Sequence, residues 1–228
     1  MSFEYLDWSL SQYIDMSQKN SQLLSRLSFL IIFGLMFLGI LWLGGVFSKN
    51  IDEPGNDNQN IEGIYEPGKA YLTEFSDFQC PACRSYYPIV EQLRQEFGDK
   101  LVFEYKYFPL RSIHKNADIS SRAVEAAKLQ GKFEEMMKIV FEKQSDWANS
   151  NSAKEILVSY ATSLGMDGKK ISEDMDSDVV RKRVNDDFNQ AGKLGLTGTP
   201  SFFVNGKKIS GPANYDEFKI VIQQAIGQ

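Results

Sequence analysis

The hydrophobic pattern divides the chain into an apolar block, a polar stretch and a long region of mixed periodicities. Between Arg26 and Lys49 lie 22 consecutive uncharged residues, and Phe29 to Phe47 is apolar throughout apart from four glycines. About 20 apolar residues are enough for a helix to span a bilayer core, so residues 27–48 are expected to form a transmembrane helix. A cleaved secretory signal is the competing reading. Against it, the leader is 28 residues long, carries Glu4, Asp7 and Asp15, and is followed by no Ala-x-Ala after the apolar run. A helix of a soluble core would show a polar face, and none interrupts this stretch.

Residues 1–26 place Phe3, Leu6, Leu10, Tyr13 and Ile14 at helical spacing, which fits a short tail, a partner-binding helix or a helix lying on a membrane. Lys19 and Arg26 precede the apolar block and Lys49 follows it, a slim bias that puts this tail in the cytoplasm. Residues 49–66 include Asp-Glu-Pro-Gly-Asn-Asp-Asn-Gln-Asn and read as a linker. The folded domain is therefore expected over residues 67–228.

Within that domain Ala70 to Phe78 has the aromatic and β-branched content of a buried strand. A helix follows, with Tyr86, Ile89, Val90, Leu93 and Phe97 as its apolar stripe and Gly98 at its end. Pro81 suits the first helical position, whereas Pro88 predicts a kink or break. Leu101 to Phe108 is a second strand, with Leu101, Phe103, Tyr105 and Tyr107 on one face. Strand, helix and strand make a βαβ unit, which predicts a parallel pair. From Asn116 to about Leu194 the pattern is helical, and its methionines suit a core stripe. Ser201 to Val204, the turn signal Asn205-Gly206 and Lys207 to Ser210 predict an antiparallel hairpin. Tyr215 to Ile226 closes the chain as a helix capped near Asn214 or Asp216.

Composition removes several classes. The 228 residues carry 25 basic and 30 acidic side chains, a formal charge of −5, which is opposed to nucleic-acid binding. Two cysteines and one histidine exclude a multi-disulfide scaffold and a His-rich metal site. The chemistry falls instead on Cys80-Pro81-Ala82-Cys83, set between a strand and a helix. A cysteine at a helix start faces unpaired N–H groups and the positive end of the macrodipole, and both favour the thiolate. Cys80 is thus the expected nucleophile, and Cys83 the thiol that resolves a mixed disulfide. A zinc site lacks its other ligands, a structural disulfide would close too short a loop to constrain much, and a lone nucleophile with His114 as base leaves Cys83 unexplained.

The run Glu74-Phe-Ser-Asp-Phe-Gln-Cys-Pro-Ala-Cys83, the helical stretch, and Gly198-Thr-Pro-Ser-Phe-Phe-Val-Asn-Gly206 together resemble the DsbA-like branch of the thioredoxin superfamily. The resemblance covers essentially all of residues 67–228. It implies an α/β thioredoxin-like fold, βαβ and ββα halves around a central sheet, with a helical insertion at about 112–195. It also implies that Thr199–Pro200 is a cis peptide beside Cys80, where Thr199 and Pro200 receive an extended substrate. Glu74 takes the place of a buried acid able to relay the proton of Cys83. A Glu at the strand edge would instead be solvated and passive, and the sequence leaves both open. His114 reads as a loop residue or a hydrogen bond at a helix start, and Asp77 and Gln79 as residues shaping the approach to the site.

The expectation is a membrane-anchored thiol:disulfide oxidoreductase that needs no organic cofactor beyond its Cys80–Cys83 disulfide. Its substrates would be exported thiol proteins, with a membrane redox partner returning it to its starting state. Disulfides persist outside the cytoplasm, which places the domain on the outer side of a bacterial cell membrane. Strongly oxidising members of the group carry His where Ala82 stands, so a reductase or isomerase remains open. So does a non-catalytic binding module of the same fold.

Overall fold

The computed structural model describes residues 60–227. The expected cytoplasmic tail, the transmembrane helix and most of the linker lie outside the described residues. Among the described residues no helix is long and apolar enough to cross a membrane.

Strand β1 (Ala70–Ser76) leads through a short loop into helix α1 (Pro81–Phe97), and a 3-10 turn at Gly98–Lys100 delivers the chain to β2 (Leu101–Tyr107). β1 and β2 are parallel, with Ala70 opposite Leu101 and Ser76 opposite Tyr107, as the βαβ reading requires. The helical region resolves into α2 (Ala117–Leu129), α3 (Phe133–Glu142), α4 (Gln144–Trp147), α5 (Ala153–Ser163), α6 (Gly168–Asp174) and α7 (Asp178–Lys193). The chain then returns as β3 (Ser201–Val204), β4 (Lys207–Ile209) and α8 (Tyr215–Ile226). The sheet order is β2-β1-β3-β4, and both later pairings are antiparallel.

Local chemistry accounts for most boundaries. Asn205 and Gly206 both adopt positive φ, 47° and 75°, the conformation a two-residue hairpin turn needs. Asn214 caps α8 by accepting the Glu217 N–H at 3.0 Å, which singles it out over Asp216. Helix α1 runs on past Pro88 instead of breaking there. Pro88 and Arg84, whose carbonyl the proline leaves without its usual donor, are both exposed, so water can serve that carbonyl. The end of the expected linker also differs. Asn60 bridges to Lys207, and Ile61 donates its N–H to the Gly206 carbonyl at 2.8 Å, so this segment is held at the β3–β4 turn.

Three apolar clusters hold these elements. Leu72, Val90, Leu93, Phe202, Phe218 and Ile222 join the sheet to α1 and α8. Phe75 and Phe203 on the opposite face pack on Ala191 and Leu194. The third cluster fills the helical insertion, where Met136 and Met137 are buried as expected, and it reaches Phe78, Cys80 and Cys83. The loop carrying Cys80 therefore sits where the insertion meets the sheet.

Candidate active site

Cys80 occupies the N-cap of α1, with extended backbone angles, and Pro81 follows at the first helical position. The Arg84 N–H closes the first turn on the Cys80 carbonyl at 3.1 Å. The sulfur of Cys80 thus lies over the helix's unpaired N–H groups, as the spacing predicts. Cys83, one turn on, points inward and is fully buried. Both are free thiols.

Their environments split their acidities. Cys80 is lowered to about 5, first because the Cys83 thiol donates to it, with the Thr199 side chain and then the N–H groups of Cys83 and Ala82 adding to that effect against the opposing influence of burial. Cys83 is pushed well above its ordinary value, first by burial and then by its own donation to Cys80 and the nearby Glu74 carboxylate. One sulfur is held ready as thiolate and leaving group; the other prefers its proton.

The remaining residues expected at the site converge on this pair. Thr199–Pro200 is a cis peptide, and the Thr199 carbonyl lies 3.4 Å from the Cys80 sulfur, although 119 residues separate them in sequence. Glu74 lies mid-strand between Tyr105 of β2 and Phe202 of β3, and is only 3% exposed. It is therefore the buried acid of the two readings, not a solvated edge residue. Burial raises its carboxyl to about 7, in the range where an acid can both give and take a proton near neutrality.

Asp77, His114 and Gln79 are joined by hydrogen bonds around the Cys80 loop. The fully buried Asp77 carboxylate accepts the N–H of Gln79 at 2.8 Å, the N–H of Leu110 at 2.9 Å and Nδ1 of His114 at 2.7 Å. Its own N–H points at the Cys83 sulfur, 3.5 Å away. Gln79 bonds the Ala148 carbonyl and the Asn116 N–H, both at 2.7 Å. Sequence reasoning missed Gln144, whose buried amide donates to the carbonyls of Phe78 at 2.7 Å and Cys80 at 3.1 Å. It lies 64 residues beyond Cys80, and no local pattern marks it. Among the described residues no group of three or more His, Cys, Asp and Glu side chains could hold a metal ion.

The sequence model of the Thioredoxin family matches residues 67–224. A protein of Mycolicibacterium vanbaalenii named Na(+)/H(+) antiporter NhaA 1 is 36% identical over 158 residues, covering 68% of this chain and 25% of that protein. The NhaA of Herminiimonas arsenicoxydans is 36% identical over 166 residues, with coverages of 72% and 25%. The chain spans about a quarter of the length of these curated relatives, and the antiporter name belongs to those longer proteins. Among solved structures, oxidised BdbD from Bacillus subtilis superposes with a TM-score of 0.63 at 23% identity, covering 75% of this chain and 95% of that one. DsbA from Xylella fastidiosa gives 0.59 at 18% identity, with coverages of 70% and 85%. These two similarities speak for a common fold.

Proposed function

The chain belongs to the thioredoxin family, and on that footing we propose that it is a DsbA-like thiol:disulfide oxidoreductase that introduces disulfides into exported proteins. It would be tethered to a bacterial cell membrane by residues 27–48, with residues 1–26 in the cytoplasm and the redox domain outside. The observation that carries the reading is the contrast between Cys80, lowered to about 5 at a helix N-cap, and the buried Cys83, raised far above it. A stabilised thiolate favours the reduced pair, which makes the disulfide form a stronger oxidant.

In the forward direction a substrate thiolate attacks the Cys80 sulfur of the oxidised protein. A substrate–Cys80 bond forms, the Cys80–Cys83 bond breaks, and its electron pair passes to Cys83. Cys83 then takes a proton, for which the buried Glu74, raised to about 7, would be the donor. A second substrate thiolate attacks the substrate sulfur of the mixed disulfide and releases Cys80 as a thiolate. Thr199, whose carbonyl lies 3.4 Å from the Cys80 sulfur, and Pro200 after it would hold the substrate backbone during both steps. Two electrons have left the substrate, and a membrane redox partner must remove them from the protein. The disulfide itself is the cofactor.

Redox titration of Cys80–Cys83 tests the direction. A midpoint well above the thioredoxin value of about −270 mV, towards the about −120 mV of strong oxidants, is expected. A midpoint at or below −270 mV would overturn the oxidase and leave the reductase. Cys80→Ser should abolish thiol oxidation; a variant that keeps its full cellular function without that chemistry would identify a non-catalytic binding module instead.

A further inference from the structure

The Asp77–His114 pair has a place in the chemistry that neither the motif nor the sulfur positions assign. We propose that His114 is a positioning residue for the leaving sulfur: it holds Asp77 so that the Asp77 N–H stabilises the thiolate emerging on Cys83. This rests on the oxidoreductase reading above.

Asp77 fixes the redox loop from both its side chain and its backbone. The carboxylate binds the Gln79 N–H at 2.8 Å, one residue before the nucleophile, and the Asp77 carbonyl accepts the Cys80 N–H at 3.0 Å. With the chain pinned on either side, the Asp77 N–H is aimed at the Cys83 sulfur at 3.5 Å. That sulfur is fully buried and needs such a donor, because burial penalises its charged form. The Asp77 carboxylate is itself fully buried, and Nδ1 of His114 lies 2.7 Å from its Oδ2. Without His114, Oδ2 would keep the Leu110 N–H alone, a weak hold for a buried carboxyl oxygen. The His114 side chain, 18% exposed, also reaches a cavity of about 550 Å³ shared with Arg111, Lys115 and Asp118.

When a thiolate attacks Cys80, the new S–S bond forms as the Cys80–Cys83 bond breaks, and the electron pair arrives on Cys83. An aligned N–H lowers the barrier to that step. It acts on Cys83 directly and on Cys80 only through the shared thiol contact, because the Cys80 sulfur is stabilised first by the Cys83 thiol and then by the Thr199 side chain and the N–H groups of Cys83 and Ala82.

The test separates the two sulfurs. Reduced glutathione is mixed with the oxidised full-length chain, and the rate of reduction is compared with the pH profile of Cys80 alkylation by iodoacetamide in the reduced chain. His114→Leu should slow reduction about tenfold, the scale of a lost hydrogen bond to a buried carboxylate, with the Cys80 alkylation profile moved by far less. His114→Gln, which can still donate to Asp77, should recover most of the rate. Should His114→Leu not fold, Asp77→Asn should give the same split. Wild-type reduction rates in the variants, or equal losses in both measurements, would overturn the proposal. A wild-type chain unreactive at Cys80 would remove the oxidoreductase reading as well, whereas a reactive wild type with unaffected variants removes the positioning role alone.

Discussion

Glu74 shows how one buried side chain ties stability to chemistry. Its folded value of about 7 lies above the 4.5 of an unburied Glu, so the unfolded chain releases this proton first as pH rises. Ionised Glu74 therefore costs stability, increasingly from about pH 4.5 to pH 7, and the cost disappears as pH falls through that window. Its full size is on the order of 3 kcal/mol. Glu74→Gln should accordingly stabilise the reduced protein at pH 8 by up to about that amount, and by little at pH 4.5, as urea unfolding at the two pH values would show. Equal effects at both would mean that Glu74 does not titrate in this window. The same substitution should slow protonation of Cys83 after substrate attack, because the neutral amide has no proton to give. The strand position and spacing of Glu74 were legible in the sequence. Its desolvation depends on β2 and β3 closing on both sides, which sequence order does not display.

The short helix α4 illustrates how an element outside the core motif can complete the site. Its four residues make it too short to stand alone, and the buried Trp147 fastens it by an indole N–H bond to the Val140 carbonyl at 2.9 Å. Thus held, it presents Gln144 to the Phe78 and Cys80 carbonyls. Gln144→Ala would leave both buried carbonyls without that donor, at about 1–3 kcal/mol. Denaturant unfolding should show this loss, and a stability equal to wild type would mean that other donors replace the amide. Helix α1 makes the complementary point. Its start, with Cys80 as cap and Pro81 behind it, follows from local sequence alone. Its passage through Pro88 does not, because Val90 and Leu93 beyond the proline are buried against the sheet and α8, and that packing outweighs the local preference to stop.

Across the whole domain, the insertion and the thioredoxin core are joined through aromatic packing beneath the cysteines. Phe78 stacks on Tyr105 of β2 at 5.0 Å between ring centroids and meets Phe141 of α3 at 4.7 Å. Tyr105 in turn faces Phe133. Phe78→Ala should cost about 3–5 kcal/mol, as for other buried Phe truncations, and should weaken both halves because the cavity lies between them. Thermal unfolding that separates into two steps in this variant would show that Phe78 carries the coupling. Unchanged stability would show that it does not.

Charge and cysteine content by themselves oppose nucleic-acid binding, a His-rich metal site and a multi-disulfide framework. The spacing of Cys80 and Cys83 and the apolar periodicities then placed the cysteine pair, the parallel strands, the hairpin and the closing helix. These features are legible because each depends on residues a few positions apart, where backbone geometry and side-chain pattern act directly. The tertiary structure decided what depends on distant contacts: the Thr199 carbonyl against Cys80, the burial of Glu74, the Gln144 donor and the Asp77–His114 hold on Cys83. Each joins elements separated by tens of residues, and desolvation and hydrogen-bond geometry exist only once those elements have packed.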